Sequence, residues 1–387
     1  MKVVQLGCGT CGLVCAEHLA KNPKVENLVL ADIKPEAAEE LASRLKRKNV
    51  SVKKVNGIDP KVLKNLLKDA DIVVATMPWR MNRIVLDVAA QTGTDYLDFG
   101  MPFDTTIEPE YKRYEKICGD AGIAALIGMG MEPGTSDVFA VYAASKLDRA
   151  DEAHVYDGDA SSVEGLEYFS TWSPVDLFDE ANAPAGVFRN GKIEFVPPLS
   201  SKQTYDFPEP IGPLTVYKTN HDETYFMPIA IKTLKNASFN IFIDDKFVHA
   251  VGIFRKFGLL DKEPIDIRGV SVKPIDVLAA LMPSPVKMAD KIRGWAGFAV
   301  EVIGVKAGKR MKVRMWTMMS YEKAFELYRT NVTGYLVGTG GAIATEMLID
   351  GEIKGKGFII PEQLPSESYL KRLAEKGINV KEEIIQI

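Results

Sequence analysis

Short runs of Val, Leu, Ile and Ala recur along the first third of the chain, at Val3–Leu6, Leu28–Ala31, Ile72–Ala75 and Ala124–Ile127. They lack alternation, as strands buried on both faces of a parallel sheet do. Segments with helical spacing lie between them, among them Pro35–Arg47 and Pro60–Lys68, each with proline at or near the first turn. Repeated strand–helix–strand predicts a doubly wound α/β domain. After about Leu147 the rhythm changes. Pro, Gly, Asp and aromatic residues crowd His154 to Tyr225 among short strands and loops. Extended stretches then dominate to Thr317, at Ser238–Ile243, His249–Phe254 and Lys312–Met318, with a helical insertion at Pro274–Met282. This predicts a second, α+β substrate domain on a mixed or antiparallel sheet. Helical spacing returns at Ala342–Leu348 and Ser366–Lys376, and this tail is expected to pack back on the first domain. The expected division is 1–130 with 341–387, and 131–340.

Composition narrows the class. The chain has 387 residues, enough for two cores, and 46% of them are hydrophobic. A formal net charge of −4 gives no reason to expect nucleic acid or an anionic membrane as partner. No apolar run reads as a membrane span and the chain opens directly into a strand, so a cytoplasmic location is expected. Four cysteines, three of them close together, make no disulfide framework for a chain of this size.

Those three cysteines lie in Gly7-Cys8-Gly9-Thr10-Cys11-Gly12-Leu13-Val14-Cys15, directly after the first strand. The stretch fits G-x-G-x-x-G at a strand-to-helix turn. Gly7 permits the tight turn, Gly9 lets a pyrophosphate approach the backbone, and Gly12 allows close helix–strand packing. Phosphate would meet the free N–H groups of the helix start, at Thr10 and Cys11. Asp32 follows Gly12 by twenty residues at the end of the second strand, where a carboxylate binds ribose hydroxyls and repels a 2′-phosphate. This Rossmann-type pattern predicts NAD, and Lys34 leaves NADP open. Met77 and Pro78, after the Ile72–Ala75 strand, are expected beside the nicotinamide half. Cys8 and Cys11 also form C-x-x-C, but no second pair or His pair completes a zinc site, so no metal is expected. The thiols are read as small side chains tolerated in a tight loop.

Six further stretches carry a resemblance. They are Gly122–Asp137, Phe169–Pro174, Arg189–Lys192, Phe207–Pro213, Arg255–Gly258 and Gly357–Glu362. In this order, with the glycine loop, they resemble the saccharopine dehydrogenase family across nearly the whole chain. Two departures bear on substrate. The family's usual acid is replaced by Gly128, with Glu132 in the same motif, and a glycine-rich run is here Asp157-Gly158-Asp159, read as an acidic loop. The resemblance implies a homodimer and hydride transfer between nicotinamide and the carbon of a C–N bond, interconverting amine and imine. A base must then take a proton from the ammonium. Glu132 and Asp98, at strand ends facing the cleft, and His221, in His221-Asp222-Glu223, are the acid–base candidates. Arg255 is the candidate carboxylate clamp. Trp172, beside Tyr168, would wall the pocket or stack on a cationic amine. His154 and His249 read as sheet residues and His18 as structural. The expected activity is a saccharopine- or lysine-dehydrogenase type of reaction on a basic amino acid or opine-like conjugate, in lysine or amino-acid metabolism. A polyamine-pathway enzyme of the carboxynorspermidine dehydrogenase or homospermidine synthase type, or an inactive NAD-binding sensor, are the alternatives.

Overall fold

The computed structural model describes residues 1–101 and 107–387. In chain order it forms β1 (Lys2–Leu6), α1 (Thr10–Lys21), β2 (Asn27–Asp32), α2 (Glu36–Leu45), β3 (Val50–Lys54), α3 (Pro60–Leu67), β4 (Ile72–Ala75), α4 (Asn82–Thr92), β5 (Asp95–Asp98), α5 (Ile107–Ala121), β6 (Ala124–Leu126) and α6 (Thr135–Ser145). Then come β7 (Arg149–Ser162), α7 (Pro174–Asn182), β8 (Ala185–Arg189), β9 (Lys192–Val196), β10 (Gln203–Asp206), β11 (Pro213–Lys218), α8 (Glu223–Ala230), β12 (Asn236–Phe242), α9 (Asp245–Lys256), β13 (Ile265–Ile267), β14 (Val270–Val272), α10 (Pro274–Leu281) and α11 (Pro285–Met288). The chain closes with β15 (Arg293–Lys306), β16 (Lys309–Ser320), α12 (Tyr321–Tyr328), α13 (Val332–Ile349), β17 (Gly357–Ile359), α14 (Ser366–Glu375) and β18 (Lys381–Gln386).

Two compact units result, Met1–Tyr142 with Gly334–Val380, and Ala143–Thr333 with Lys381–Ile387. The first holds a seven-stranded parallel sheet in the order β17-β6-β5-β4-β1-β2-β3. Strand order reverses between β1 and β4, which opens a crevice at their carboxyl ends. The expected doubly wound sheet is present, extended by β17 from the C-terminal part.

The second unit is built on a nine-stranded mixed sheet along β10-β11-β12-β7-β15-β16-β18, with β8 and β9 attached through β12. β7 and β12 run parallel and their other neighbours antiparallel. The β8–β9 turn uses Asn190 (φ 50°) and Gly191 (φ 81°), as a two-residue hairpin between twisted strands requires.

Four readings change. The run His249–Phe254 is helical, not extended. It lies in α9, where Asp244 caps the first turn by accepting from the Lys246 and Phe247 amides, and Phe247 and Val251 face the core four residues apart. His249 is thus no sheet residue. Asp157-Gly158-Asp159 is not a loop but the middle of β7, and Gly158 is required there because a Cβ would stand 2.7 Å from the Phe207 ring. The C-terminal part does not return whole to the first unit, since β18 pairs with β16. Finally, α13 is long and apolar enough to cross a membrane by length and composition, but most of it is buried in the protein. Its glycines pack tightly: a Cβ on Gly338 would stand 2.4 Å from the Cys11 carbonyl and one on Gly340 2.4 Å from that of Gly130. A core helix is apolar all round for the same reason as a membrane helix.

Candidate functional site

The turn from β1 into α1 is built around what a side chain would displace. Gly7 holds φ 97°, and a Cβ on it would lie 2.9 Å from the Thr76 carbonyl. At Gly12 a Cβ would lie 2.5 Å from the Gly7 carbonyl and 2.6 Å from Thr76 Oγ1, so the helix meets the strand only with glycine there. Gln5 pins the turn by donating to the Gly7 and Gly12 carbonyls (3.0 and 2.7 Å), and Thr76 donates to the Gly7 carbonyl (2.7 Å). Gly9 differs, because a Cβ there would meet nothing within 4 Å. It is the N-cap of α1, yet offers no side-chain oxygen to the first-turn amides. An open approach to an uncapped helix start suits a pyrophosphate, so these residues fit a dinucleotide. Thr10 and Cys11 begin α1 at this point.

Asp32 sits at the end of β2, half-buried, its carboxylate accepting from the Cys8 amide (2.7 Å) and the Lys34 amide (2.8 Å). These bonds hold it beside the glycine turn, where a ribose would pass. Cys8 is buried, and burial, with Asp32 adding to it, pushes its thiol up to about 12. Burial likewise raises Cys11 to about 12 and Cys15 further. Raised in this way, the thiols are protonated and poorly reactive at neutral pH, and no metal-type cluster occurs among the described residues.

Met77 follows β4 and packs on the loop after β3, where a Cβ on Gly57 would meet its sulfur at 2.6 Å; Pro78 is exposed next to it. Asp98 has a different place from the one expected. Fully buried, it accepts from Tyr96 Oη (2.6 Å) and from the Gly128 amide (2.7 Å). Both oxygens are engaged within the fold, so Asp98 is a peg that ties β5 to the turn after β6. Its reading as a catalytic acid is withdrawn. Gly128, with φ 63°, stands where the family's acid was expected. Glu132 lies half-buried on the loop between β6 and α6.

The second unit gathers charge. β7 alternates, so Val155, Asp157 and Asp159 share one sheet face, and Phe239 of β12 lies directly across from Val155. The His221 ring stacks on Phe239 (3.8 Å between centroids, 13° between planes). Its Nδ1 pairs with Glu223, whose side chain is wholly buried at the start of α8. Glu180, from α7, accepts from Thr219 Oγ1 (2.6 Å), and Asp159 accepts from Tyr321 Oη (2.7 Å) and the Ser161 amide (2.9 Å). Ser173 and Pro174 start α7 as cap and first residue, which sets the register that brings Glu180 inward.

Glu223 pairs with the imidazole and Glu180 acts on it, while Asp157 couples this group to Asp159 along the sheet face. Burial alone would lower His221, but the Glu223 and Glu180 charges outweigh it and raise its pKa to about 10. His221 is therefore cationic at neutral pH. Asp157 is pushed up to about 8, by burial first and then by the charges of Asp159, Glu180 and Glu223, which His221 offsets only in part. Burial also raises Asp159 and Glu180. The cluster holds more acid than its one cation can balance.

The remaining sequence candidates do not all join it. Arg255 is exposed on α9 and donates to Asn182 Oδ1 (2.7 Å) and the Ala181 carbonyl (3.1 Å). It caps the C-terminal end of α7 and is no carboxylate clamp in this position. Tyr168 is 38% exposed and approaches Phe247 of α9 (6.3 Å). Trp172 is half-buried in the turn leading into α7, where Ser170 Oγ bridges its backbone. His18 is buried beside Thr339 and Lys376; burial first, then the two lysines nearby, lower it to about 3, so it is a neutral core residue. Glu180, Thr219 and Tyr321 are not among the residues that the sequence singles out, whereas Glu223 stands in the triplet with His221. Besides the His221-Asp222-Glu223 triplet, the period-two spacing of Val155, Asp157, Asp159 and Ser161 carries a signal for a shared acidic face.

Two family models cover the chain. Residues 3–126 match the saccharopine dehydrogenase NADP binding domain, and residues 130–378 match the saccharopine dehydrogenase C-terminal domain. The chain belongs to the saccharopine dehydrogenase family. It is an NAD(P)-dependent oxidoreductase, and the glycine turn is the part of it that fits the cofactor. Carboxynorspermidine synthase of Vibrio alginolyticus is 26% identical over 98% of this chain and 96% of that protein. Carboxyaminopropylagmatine dehydrogenase of Synechocystis is 23% identical over 97% and 96%. In fold the chain is similar to saccharopine dehydrogenase (L-Glu forming) from Saccharomyces cerevisiae, with a TM-score of 0.73, 19% identity and 99% of each chain covered.

Proposed function

We propose that this saccharopine dehydrogenase family member interconverts an amine and its imine on a polyamine-type substrate that carries a second ammonium group. The observation behind this reading is that Asp159, Glu180 and Glu223, with one imidazole, His221, act on Asp157. A lone dicarboxylic amino acid would add charge of the wrong sign to such a place. An ammonium group supplies the missing cation, donates hydrogen bonds to the carboxylates and relieves their repulsion. The names of two relatives that match along their full length describe carboxylated polyamine chains, which agrees with this choice.

Bound NAD(P) supplies the hydride acceptor or donor. The chain's own groups have two tasks. Asp159 and Glu180, fixed by Tyr321 and Thr219, orient the distal ammonium. Asp157, neutral below about pH 8, gives up its proton as that ammonium arrives. Glu132, half-buried on the loop between β6 and α6, stays the acid–base candidate of the first unit. Asp32 favours NAD over NADP, since its carboxylate repels a 2′-phosphate.

The test is a panel of carboxynorspermidine, spermidine, lysine and saccharopine with NAD and with NADP, followed at the nicotinamide absorbance. Turnover is expected to be fastest with carboxynorspermidine. Preference for saccharopine by tenfold or more in kcat/KM would defeat the polyamine reading, and inertness of every amine with cofactor bound would favour the sensor.

A further inference from the structure

One polar residue interrupts the apolar interior of β1. Gln5 has Leu30 of β2 and Val74 of β4 as its register partners, and it is fully buried. Its Oε1 accepts no hydrogen bond from the described residues. Burying an amide with its oxygen unpaired opposes folding. A leucine would occupy the same place without that cost, so what sets glutamine apart here is the other end of its amide.

That end reaches the glycine turn. Nε2 donates to the Gly7 carbonyl (3.0 Å) and to the Gly12 carbonyl (2.7 Å). Thr76 Oγ1, just past β4, donates to the same Gly7 carbonyl (2.7 Å). On the opposite edge of that peptide the Cys8 amide donates to Asp32 (2.7 Å). In a trans peptide the C=O and the N–H point in opposite directions, so these bonds grip a single peptide plane from both sides. A half-turn of the plane would set the Gly7 carbonyl against the Asp32 carboxylate, beside the place of the ribose. It would also turn a negative dipole toward the path of the phosphates.

We propose that Gln5 is a positioning residue for NAD(P). Buried behind the turn, it fixes the orientation of the Gly7–Cys8 peptide, with Thr76 and Asp32 as the other two holds. The same nitrogen ties that plane to Gly12 in the first turn of α1, so the turn and the helix start keep one arrangement toward a pyrophosphate. The cofactor then meets a peptide already set and loses no affinity to ordering it.

The test needs no amine substrate, so its outcome is separate from that of the polyamine reading. Gln5→Leu is titrated with NAD, with ADP-ribose and with adenosine, and its melting temperature is taken without ligand. The Kd for NAD and for ADP-ribose should rise about tenfold while that for adenosine stays within about twofold. The melting temperature should stay within about two degrees of the wild type, because the unpaired oxygen leaves together with the donor. Thr76→Val should weaken NAD binding in the same way, and Thr76→Ser, which keeps the hydroxyl, should not. Wild-type affinity of Gln5→Leu for NAD overturns the proposal, and so does an equal loss for adenosine, the mark of a merely loosened fold. Hydrogen exchange at the Cys8 amide decides the matter without a variant. In the wild type it should be slow before cofactor is added and change by less than about threefold when NAD saturates the site. An amide that exchanges freely until NAD arrives would mean that the cofactor orders the peptide, and Gln5 would then have no positioning role.

Discussion

The glycine turn of the first unit and the acidic cluster of the second are built on opposite principles. The turn works through backbone. Its carbonyls are tied off by Gln5 and Thr76, its one carboxylate is held by two amides, and burial keeps its thiols neutral. The open element is a helix start beside a glycine whose Cβ would meet nothing. The cluster works through side chains held in surplus, four acids to one imidazolium, with one acid pushed up to about 8 by burial and then by the charges of the rest. One site is finished before its ligand arrives. The other carries a charge imbalance that a cationic ligand removes. Affinity for the cofactor should thus respond to added bulk, and affinity for the amine to lost charge.

The largest effect should come from bulk in the turn. Gly12→Val forces a side chain within 2.6 Å of both the Gly7 carbonyl and Thr76 Oγ1, and it should cost about 3 kcal/mol of stability. Cofactor binding, measured by fluorescence titration, should be lost with it. Gly9→Ala provides the contrast. Its Cβ meets no protein atom, so the melting temperature should stay within a degree while the cofactor Kd rises about tenfold, the equivalent of 1.4 kcal/mol. If Gly9→Ala binds NAD(P) as the wild type does, the cradle assignment is wrong.

Charge removal in the cluster comes next. Glu180→Gln should raise KM for a polyamine substrate by roughly ten- to a hundredfold, the range of a lost charge-assisted hydrogen bond. Its KM for NAD(P) should not change. Equal losses for both ligands would mean that the variant disturbs the fold rather than an ammonium site.

Smaller effects sharpen the boundaries. Asp32→Ala should shift cofactor preference toward NADP by about tenfold, read as the ratio of kcat/KM values for the two cofactors. Arg255→Ala should cost about 1 kcal/mol, the worth of its bonds to the end of α7, in chemical denaturation. If it instead weakens the affinity for a carboxylated substrate, Arg255 touches substrate after all.

The same contrast explains what the sequence revealed. The glycine turn and Asp32 lie within 26 residues, Gly7 to Asp32, and each residue type answers a local requirement, so the site could be read in a line. The parallel strands around it are apolar on both faces and equally plain. The cluster draws on β7, α7, the segment after β11, α8 and α12, and only the fold brings these together. Asp98 was misjudged because a strand-end acid looks the same whether it faces a cleft or, as here, bonds to Tyr96 and Gly128. His249–Phe254 was misjudged because its apolar run satisfies a strand, while the Asp244 cap that makes it a helix lies outside the run. The closing strand β18, mostly exposed and charged at its start, has Ile384 and Ile385 adjacent rather than alternating and is fixed by its pairing with β16.

The central claim is that the second unit waits for an ammonium group, and calorimetry tests it directly. Spermidine is titrated into the NAD-saturated enzyme at pH 7 in two buffers of different ionisation enthalpy. Asp157, protonated at pH 7 because its pKa lies at about 8, must lose its proton when an ammonium takes its place in the cluster. His221, at about 10, stays charged throughout. Release of most of one proton per spermidine bound is the expected result, and Asp157→Asn should release none. Binding of spermidine with no proton released by the wild type, or no binding at all, would contradict the account.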